Sequence, residues 1–128
     1  MYLDTDTILA RLKEDDWLSS DVDIDAIPEP ITSVATAIEI QYVMESDWDR
    51  RDLATGYASI ENEGVVLVAL TREDIEAAGT LREKYDRVGV FDSIHLGAAY
   101  ARGEPIVSTD TLFPEISEVE HVDPRELK

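Results

Sequence analysis

Residues 89–110, GVFDSIHLGAAYARGEPIVSTD, decide how the rest of the chain is read. The first half predicts a helix from about Phe91 to Arg102, stopped at Gly103. The second half predicts a short apolar strand, Pro105–Ser108. The helix is built from small or apolar residues, Ile94, Leu96, Gly97, Ala98, Ala99 and Ala101, which predicts burial on most sides. Its first turn nevertheless carries Asp92. Leu96, Ala99 and Gly103 follow on the same face, so this carboxylate points along an apolar surface. The strand runs out into a second acid, Asp110. A buried helix and a buried strand each carry an acid at one end, with the geometry to share a rim.

The flanking sequence supplies matching pieces. Tyr2–Leu3 predicts a short strand ending at Asp4, and a helix from about Thr5 or Asp6 follows, with Ile8, Leu9 and Leu12 as its stripe. Lys13–Asp25 is acidic and turn-like, with Trp17 and Leu18 as its large apolar residues, and Pro28 and Pro30 close it. Ile31 predicts a very short strand. Ser33 reads as the cap of a helix to about Ser46, on which Val34, Ile38 and Tyr42 share a face and Glu39 sits among apolar neighbours. Asp49 is expected to cap a further helix to about Glu61, with Leu53, Tyr57 and Ile60 at helical spacing. Val65–Leu70 is a β-branched run without alternation, the pattern of a strand covered on both faces. Thr71 caps a helix to about Arg87, and Gly89 stops it. After the central stretch come a turn at Phe113-Pro114 and a last strand, Val119–Val122, ended by Pro124. Strands alternating with helices imply an α/β fold with a parallel sheet flanked by helices, in a single domain over residues 1–128. Ligand sites in such sheets form outside the carboxyl ends of the strands. Asp4 and Asp110 each follow a strand, and Asp92 opens a helix that can reach the same edge.

Composition limits what such a rim can do. The 128 residues include 29 Asp+Glu against 11 Lys+Arg, a formal net charge of −18, and only Lys13, Lys84 and Lys128 are lysines. Acids spread along a whole domain, with arginine preferred to lysine, resemble proteins of salt-loving organisms. With 44% hydrophobic residues the chain is not disordered. There is no cysteine, which excludes disulfides and thiolate metal sites. No apolar run approaches the ~18 residues of a membrane span, so no membrane contact and a cytoplasmic location are expected. P-loop, GxGxxG and GxSxG motifs are absent from the sequence.

Each acid taken singly has a structural use. Asp4 can cap the first helix, Asp92 a helix from Ser93, and Asp110 a turn before Phe113, each worth about 1 kcal/mol. Glu39 can extend to solvent. Together they pose a charge problem that only protons or cations offset. Oxygen ligands without cysteine suit Mg²⁺ or Mn²⁺ rather than zinc. His95 is expected to be a packing imidazole bonded to backbone, with a proton shuttle as the alternative. His121 reads as an ordinary strand residue. Arg50-Arg51 and Arg82, Lys84 and Arg87 read as surface ion-pair partners, and Trp17, Trp48 and Tyr57 as core or interface.

MYLDTDTILA, TSVATAIEIQY, FDSIHLGAAYARGEPIVSTDTLF and the closing VDP resemble PIN-domain nucleases, in particular the VapC-type toxins of toxin–antitoxin pairs. The resemblance spans essentially the whole chain. Its most specific part is Phe91–Phe113, where that family has an aspartate opening an Ala-rich helix and then a strand into Thr/Ser-x-Asp. The resemblance implies a PIN-like three-layer fold on a five-stranded parallel sheet. It also implies an Mg²⁺- or Mn²⁺-dependent endoribonuclease whose catalytic acids are Asp4, Glu39, Asp92 and Asp110. Asp4, Asp92 and Asp110 would be metal ligands, Glu39 a ligand or the base that orients water, and Ser108 the hydroxyl residue two before Asp110. Asp6 departs from the asparagine or serine common there and adds a fifth carboxylate. The implied partners are RNA, a cognate antitoxin and a second copy in a homodimer, with Trp17, Leu18, Trp48 and Tyr57 as candidate contact residues. Asp4-Thr5-Asp6-Thr7 also resembles the first motif of haloacid dehalogenase-like phosphatases, but Lys84 is the only plausible lysine and no GDxxxD follows. A non-catalytic acidic binding module is the third reading.

Overall fold

A computed structural model of the chain describes residues 1–13 and 21–127. Trp17 and Leu18 lie outside them. Five strands, β1 (Tyr2–Leu3), β2 (Ile31–Ser33), β3 (Val66–Val68), β4 (Ile106–Val107) and β5 (His121–Val122), form one sheet in the order β3-β2-β1-β4-β5. All four pairings are parallel. The helices of the described residues are α1 (Thr5–Leu12), α2 (Val34–Trp48), α3 (Leu53–Asn62), α4 (Arg72–Lys84) and α5 (Val90–Ala101). This is the expected three-layer α/β fold.

The very short strands work because each residue serves a different face. Tyr2 pairs with Ile106 and Leu3 with Val107. Successive side chains point to opposite sides of a strand. Leu3 and Val107 therefore join Ile8, Ala37, Ile40, Met44 and Ile60 in one core, beneath α1, α2 and α3. Tyr2 and Ile106 join Leu81, Leu96, Ala98, Ala99 and Phe113 in the other, beneath α4 and α5. Two-residue strands that are apolar on both sides need exactly this double cover to exclude water.

The α5 helix packs closely on α4, and Gly97 sets how closely. A Cβ at that position would lie 2.6 Å from both the Ala78 amide nitrogen and the Asp74 carbonyl oxygen. The small residues read from the sequence are thus a helix-crossing surface. Asp74, 1% exposed, bonds Arg102 at 2.6 Å, and Arg102 also donates to the Ala69 carbonyl at 2.9 Å. This ties the end of α5 to the start of α4. Gly103, at φ +65, then turns the chain into β4.

Several boundaries differ from expectation for identifiable reasons. Asp49 does not cap α3; it closes α2 in the left-handed conformation, and Asp52 caps α3 by accepting from the Ala54 amide. The α4 helix stops at Lys84 rather than near Arg87, and α2 continues to Trp48. The run Val65–Leu70 yields only Val66–Val68 as strand, at the sheet edge and with Val66 59% exposed, so it is not covered on both faces. On α2 the buried face is Ala35, Ala37, Ile40 and Met44, whereas Ile38 and Tyr42 are exposed. The final strand begins at His121 rather than Val119.

Candidate active site

The order of the strands fixes where the acids meet. From β1 the chain builds outward through β2 to β3, then returns to lay β4 and β5 on the other side of β1. The reversal lies between β1 and β4, and ligands bind where neighbouring strands lead off in opposite directions. Asp4 follows β1 and Asp110 follows β4, so both stand at that point. Glu39 comes from the second turn of α2, which leaves β2 directly at Ser33, and Asp92 from the first turn of α5. Asp4, Asp6, Glu39, Asp92 and Asp110, with Thr5 and His95, line one pocket of about 30 Å³. That is room for about one water or one small ion.

Asp4 is 5% exposed and fully partnered. It caps α1, accepting at Oδ1 from the Thr7 amide (3.0 Å), with the Thr7 hydroxyl 2.9 Å from the same oxygen. Its Oδ2 accepts from the Ser108 hydroxyl at 2.6 Å. Ser108 in turn accepts from the Asp110 amide at 2.9 Å, so one hydroxyl couples the acids that follow β1 and β4. Asp110 Oδ1 accepts from the Leu112 amide at 2.8 Å, the turn expected before Phe113. Burial pushes the Asp4 carboxyl up to about 6, against the hydrogen bonds from Ser108 and Thr7.

Asp92 does not cap its helix, because α5 already begins at Val90 with Gly89 as its cap. It is free for the pocket. Burial first, and then the charge of Asp110, raise its pKa; His95 acts against them, and Glu39 and Asp6 add smaller upward contributions.

Glu39 is not extended into solvent. Its Oε1 accepts from the Thr5 hydroxyl at 2.7 Å and lies in a very short contact with His95 Nε2. His95 is 2% exposed, and its ring bonds side chains rather than backbone: Nδ1 meets the Tyr2 hydroxyl at 2.6 Å, and Nε2 also lies 3.1 Å from the Thr5 hydroxyl. Sequence reasoning missed Tyr2 and Thr5. The available signal was the run of hydroxyl residues at strand ends: Thr5, Thr7, Thr32, Ser33, Thr36 and Ser108. His121 also does more than fill a strand, since Nε2 reaches the Ser108 carbonyl at 2.6 Å.

The carboxylates around a pocket of this size suit Mg²⁺ or Mn²⁺, and a cation would relieve the cost of burying Asp4 and Asp92 as charged groups. Among the described residues, no three carboxylate or imidazole groups already stand close enough together to hold an ion, so the side chains would have to close in. The basic residues named from the sequence are engaged elsewhere. Lys84 pairs with Glu118, Arg87 with Glu115 and Arg51 with Glu45, while Arg82 bonds the Val88 carbonyl and Arg50 the Thr55 hydroxyl.

Fold and site together define an α/β protein with an acidic pocket at the reversal of a parallel sheet. The family model of the PIN domain matches residues 1–119, and the chain belongs to the PIN-domain family. The phosphatase family that Asp4-Thr5-Asp6-Thr7 also resembles is therefore not its family. No curated protein sequence matches it. Among solved structures it is similar to DNA-bound VapBC from Salmonella typhimurium, at 19% identity over 96% of each chain with a TM-score of 0.72. It is also similar to a toxin–antitoxin complex from Klebsiella pneumoniae, at 20% identity over 96% of each chain with a TM-score of 0.71. VapBC2 from Rickettsia felis, bound to a DNA fragment from their promoter, aligns at 13% identity over 94% of this chain and 96% of that one, with a TM-score of 0.70. At such identities the likeness is one of fold. No helix among the described residues is long and apolar enough to cross a membrane.

Proposed function

We propose that this protein is a divalent-metal-dependent endoribonuclease and the toxin of a toxin–antitoxin pair. The observation that carries the reading is the meeting of Asp4, Glu39, Asp92 and Asp110, from four separate segments, in one pocket at the reversal of the sheet. Family membership supports hydrolysis of a nucleic-acid backbone, and the fold shared with toxin–antitoxin complexes supports an antitoxin partner. Asp4, Asp92 and Asp110 would hold Mg²⁺ or Mn²⁺. When bound, such an ion neutralises phosphate charge and acidifies water. Asp4 is set for that role by Thr7 and Ser108, and Ser108 keeps Asp110 in register with it. Glu39, held through Oε1 by Thr5 and His95, would orient water and accept its proton. RNA would approach against a net charge of −18, and at molar salt the Debye length of ~3 Å removes most of that repulsion. We further propose a single domain that works as a cytoplasmic homodimer. Ile38, Tyr42 and Trp48 on α2 are among the exposed large apolar residues that would meet a partner.

The test compares Asp92→Asn with Asp6→Asn on structured RNA and on a small phosphomonoester, with Mn²⁺. Asp92→Asn should abolish RNA cleavage, and Asp6→Asn should be milder. If Asp92→Asn cleaves RNA as well as the parent, or if only the monoester is turned over and Asp6→Asn alone is dead, the assignment is wrong.

A further inference from the structure

The contact between His95 and Glu39 belongs to a longer chain whose protons can be assigned one by one. The Ala35 amide donates to Ser33 Oγ at 3.2 Å, as the first hydrogen bond of the α2 cap. Ser33 Oγ lies 2.7 Å from the Tyr2 hydroxyl, and that hydroxyl lies 2.6 Å from His95 Nδ1. The other ring nitrogen meets Glu39 Oε1. A carboxylate at Glu39 only accepts, and toward it Nε2 is the donor. If Nδ1 is bare, the Tyr2 hydroxyl donates to it, the Ser33 hydroxyl donates to Tyr2, and every proton has one acceptor. If Nδ1 also carried a proton, Tyr2 would have to accept it and donate to Ser33. The Ser33 proton would then have no acceptor among the recorded bonds. Every recorded bond is used when Nε2 carries its proton toward Glu39 and the Tyr2 hydroxyl donates to Nδ1.

The network is sealed. Tyr2, Ser33 and His95 are 0%, 0% and 2% exposed, and the Tyr2 and His95 rings are tilted at 55° with centroids 5.6 Å apart. Burial pushes the Tyr2 hydroxyl up to about 12, so it remains a donor throughout the working range. With Thr5 and His95 both directed at Oε1, Oε2 of Glu39 is the oxygen left without a protein donor among the described residues.

We propose that His95 is the positioning residue of Glu39: a Ser33–Tyr2–His95 relay clamps Oε1 so that Oε2 is presented to the acidic pocket. The relay starts at a helix cap, so the carboxylate inherits the rigidity of the β2–α2 junction rather than the freedom of a glutamate rotamer. Side chains that orient a ligating or base carboxylate are commonly worth about 10–100-fold in metal affinity or activity. The effect on turnover rests on the nuclease reading above; the clamp itself does not.

Two measurements test it. In metal-free protein, long-range ¹H–¹⁵N correlation spectra of the His95 ring should show a protonated Nε2 and a bare Nδ1 near neutral pH. Tyr2→Phe, which removes the donor to Nδ1 with little change of shape, should weaken that preference. Kinetics and Mn²⁺ titration then separate clamping from packing. His95→Phe should lower kcat or Mn²⁺ affinity about 10–100-fold with KM for RNA little changed. His95→Gln, whose amide can restore the bond to Oε1, should recover most of the loss. A ring with Nδ1 protonated, or a folded His95→Phe with parental kcat and Mn²⁺ affinity, overturns the proposal, as does a His95→Gln no better than His95→Phe. A parent protein that binds Mn²⁺ but cleaves no RNA refutes the nuclease reading instead, and the ring spectrum and Mn²⁺ titrations still decide the clamp.

Discussion

Asp4→Asn should stabilise the metal-free protein at pH 8 and change it little near pH 4. The Asp4 carboxyl rises from 3.8 to about 6 on folding, because burial disfavours its charge more than Ser108 and Thr7 favour it. The folded state therefore binds the extra proton. The group's contribution to stability is fully present below about 4 and is lost as pH rises through about 6. Above pH 6 the ionised group costs the fold about 3 kcal/mol, at ~1.4 kcal/mol per tenfold shift in proton affinity. Asparagine keeps the cap on α1, since it caps helices as well as aspartate does. Its amide can also face Ser108, so little else is lost. For a domain of this size, with an unfolding entropy near 2 cal/mol/K per residue, about 3 kcal/mol corresponds to roughly 10 °C in melting temperature. The assay is paired thermal melts of parent and variant from pH 4 to pH 8 at fixed salt, with EDTA and then with Mn²⁺. In EDTA the gap should open between pH 4 and 6 and then level off. Saturating Mn²⁺ should close or invert it by stabilising the parent alone. A gap that does not change with pH, or a variant less stable at pH 8, would refute the account of a strained buried carboxylate.

Gly97→Ala should destabilise by about 2 kcal/mol or more, because its Cβ has only backbone atoms of α4 to meet. Gly79→Ala, in the middle of α4 with open space around it, should be stabilising by up to about 1 kcal/mol; chemical denaturation of the pair reads both. Arg102→Met should cost about 3 kcal/mol by stranding the buried Asp74 carboxylate. Arg72→Ala, in an exposed pair with Glu76, should cost less than about 0.5 kcal/mol in the same measurement. The melting temperature should rise steeply between low salt and molar KCl, since −18 of net charge repels itself until screened; a flat curve removes the high-salt reading.

The sequence revealed most where local chemistry and global fold agree. A small-residue helix opened by Asp92 and a strand running into Asp110 are visible without partners, and so is Ser33 at a strand-to-helix junction. What stayed hidden depends on neighbours distant in the chain. Polar and apolar residues of α2 are spread around the helix without one clear stripe, so periodicity alone does not choose between Ile38 and Tyr42 and the buried Ile40 and Met44. The apolar run at Val66 looks the same in a central strand as at an edge, and only the strand order separates the two. His95 reads as a packing histidine until Tyr2 and Glu39 are brought to it, 93 and 56 residues away. The resemblance named the four acids as a set, but it says nothing of the relay behind Glu39.

The central place of β1 has a consequence for synthesis. The second strand of the chain lies on one side of β1, but its other neighbour is β4, at Ile106–Val107. Asp4 therefore waits for Ser108 and Asp110, which are translated more than a hundred residues later. Pairings that distant in sequence form slowly, since a long loop must close before any contact repays it. A ribosome carrying a half-made chain bears the first carboxylate of the pocket without the last. If the protein is a nuclease that attacks RNA, its own messenger and ribosome are shielded from it until translation is nearly complete. The antitoxin proposed above, if made alongside it, would have that whole interval in which to be ready.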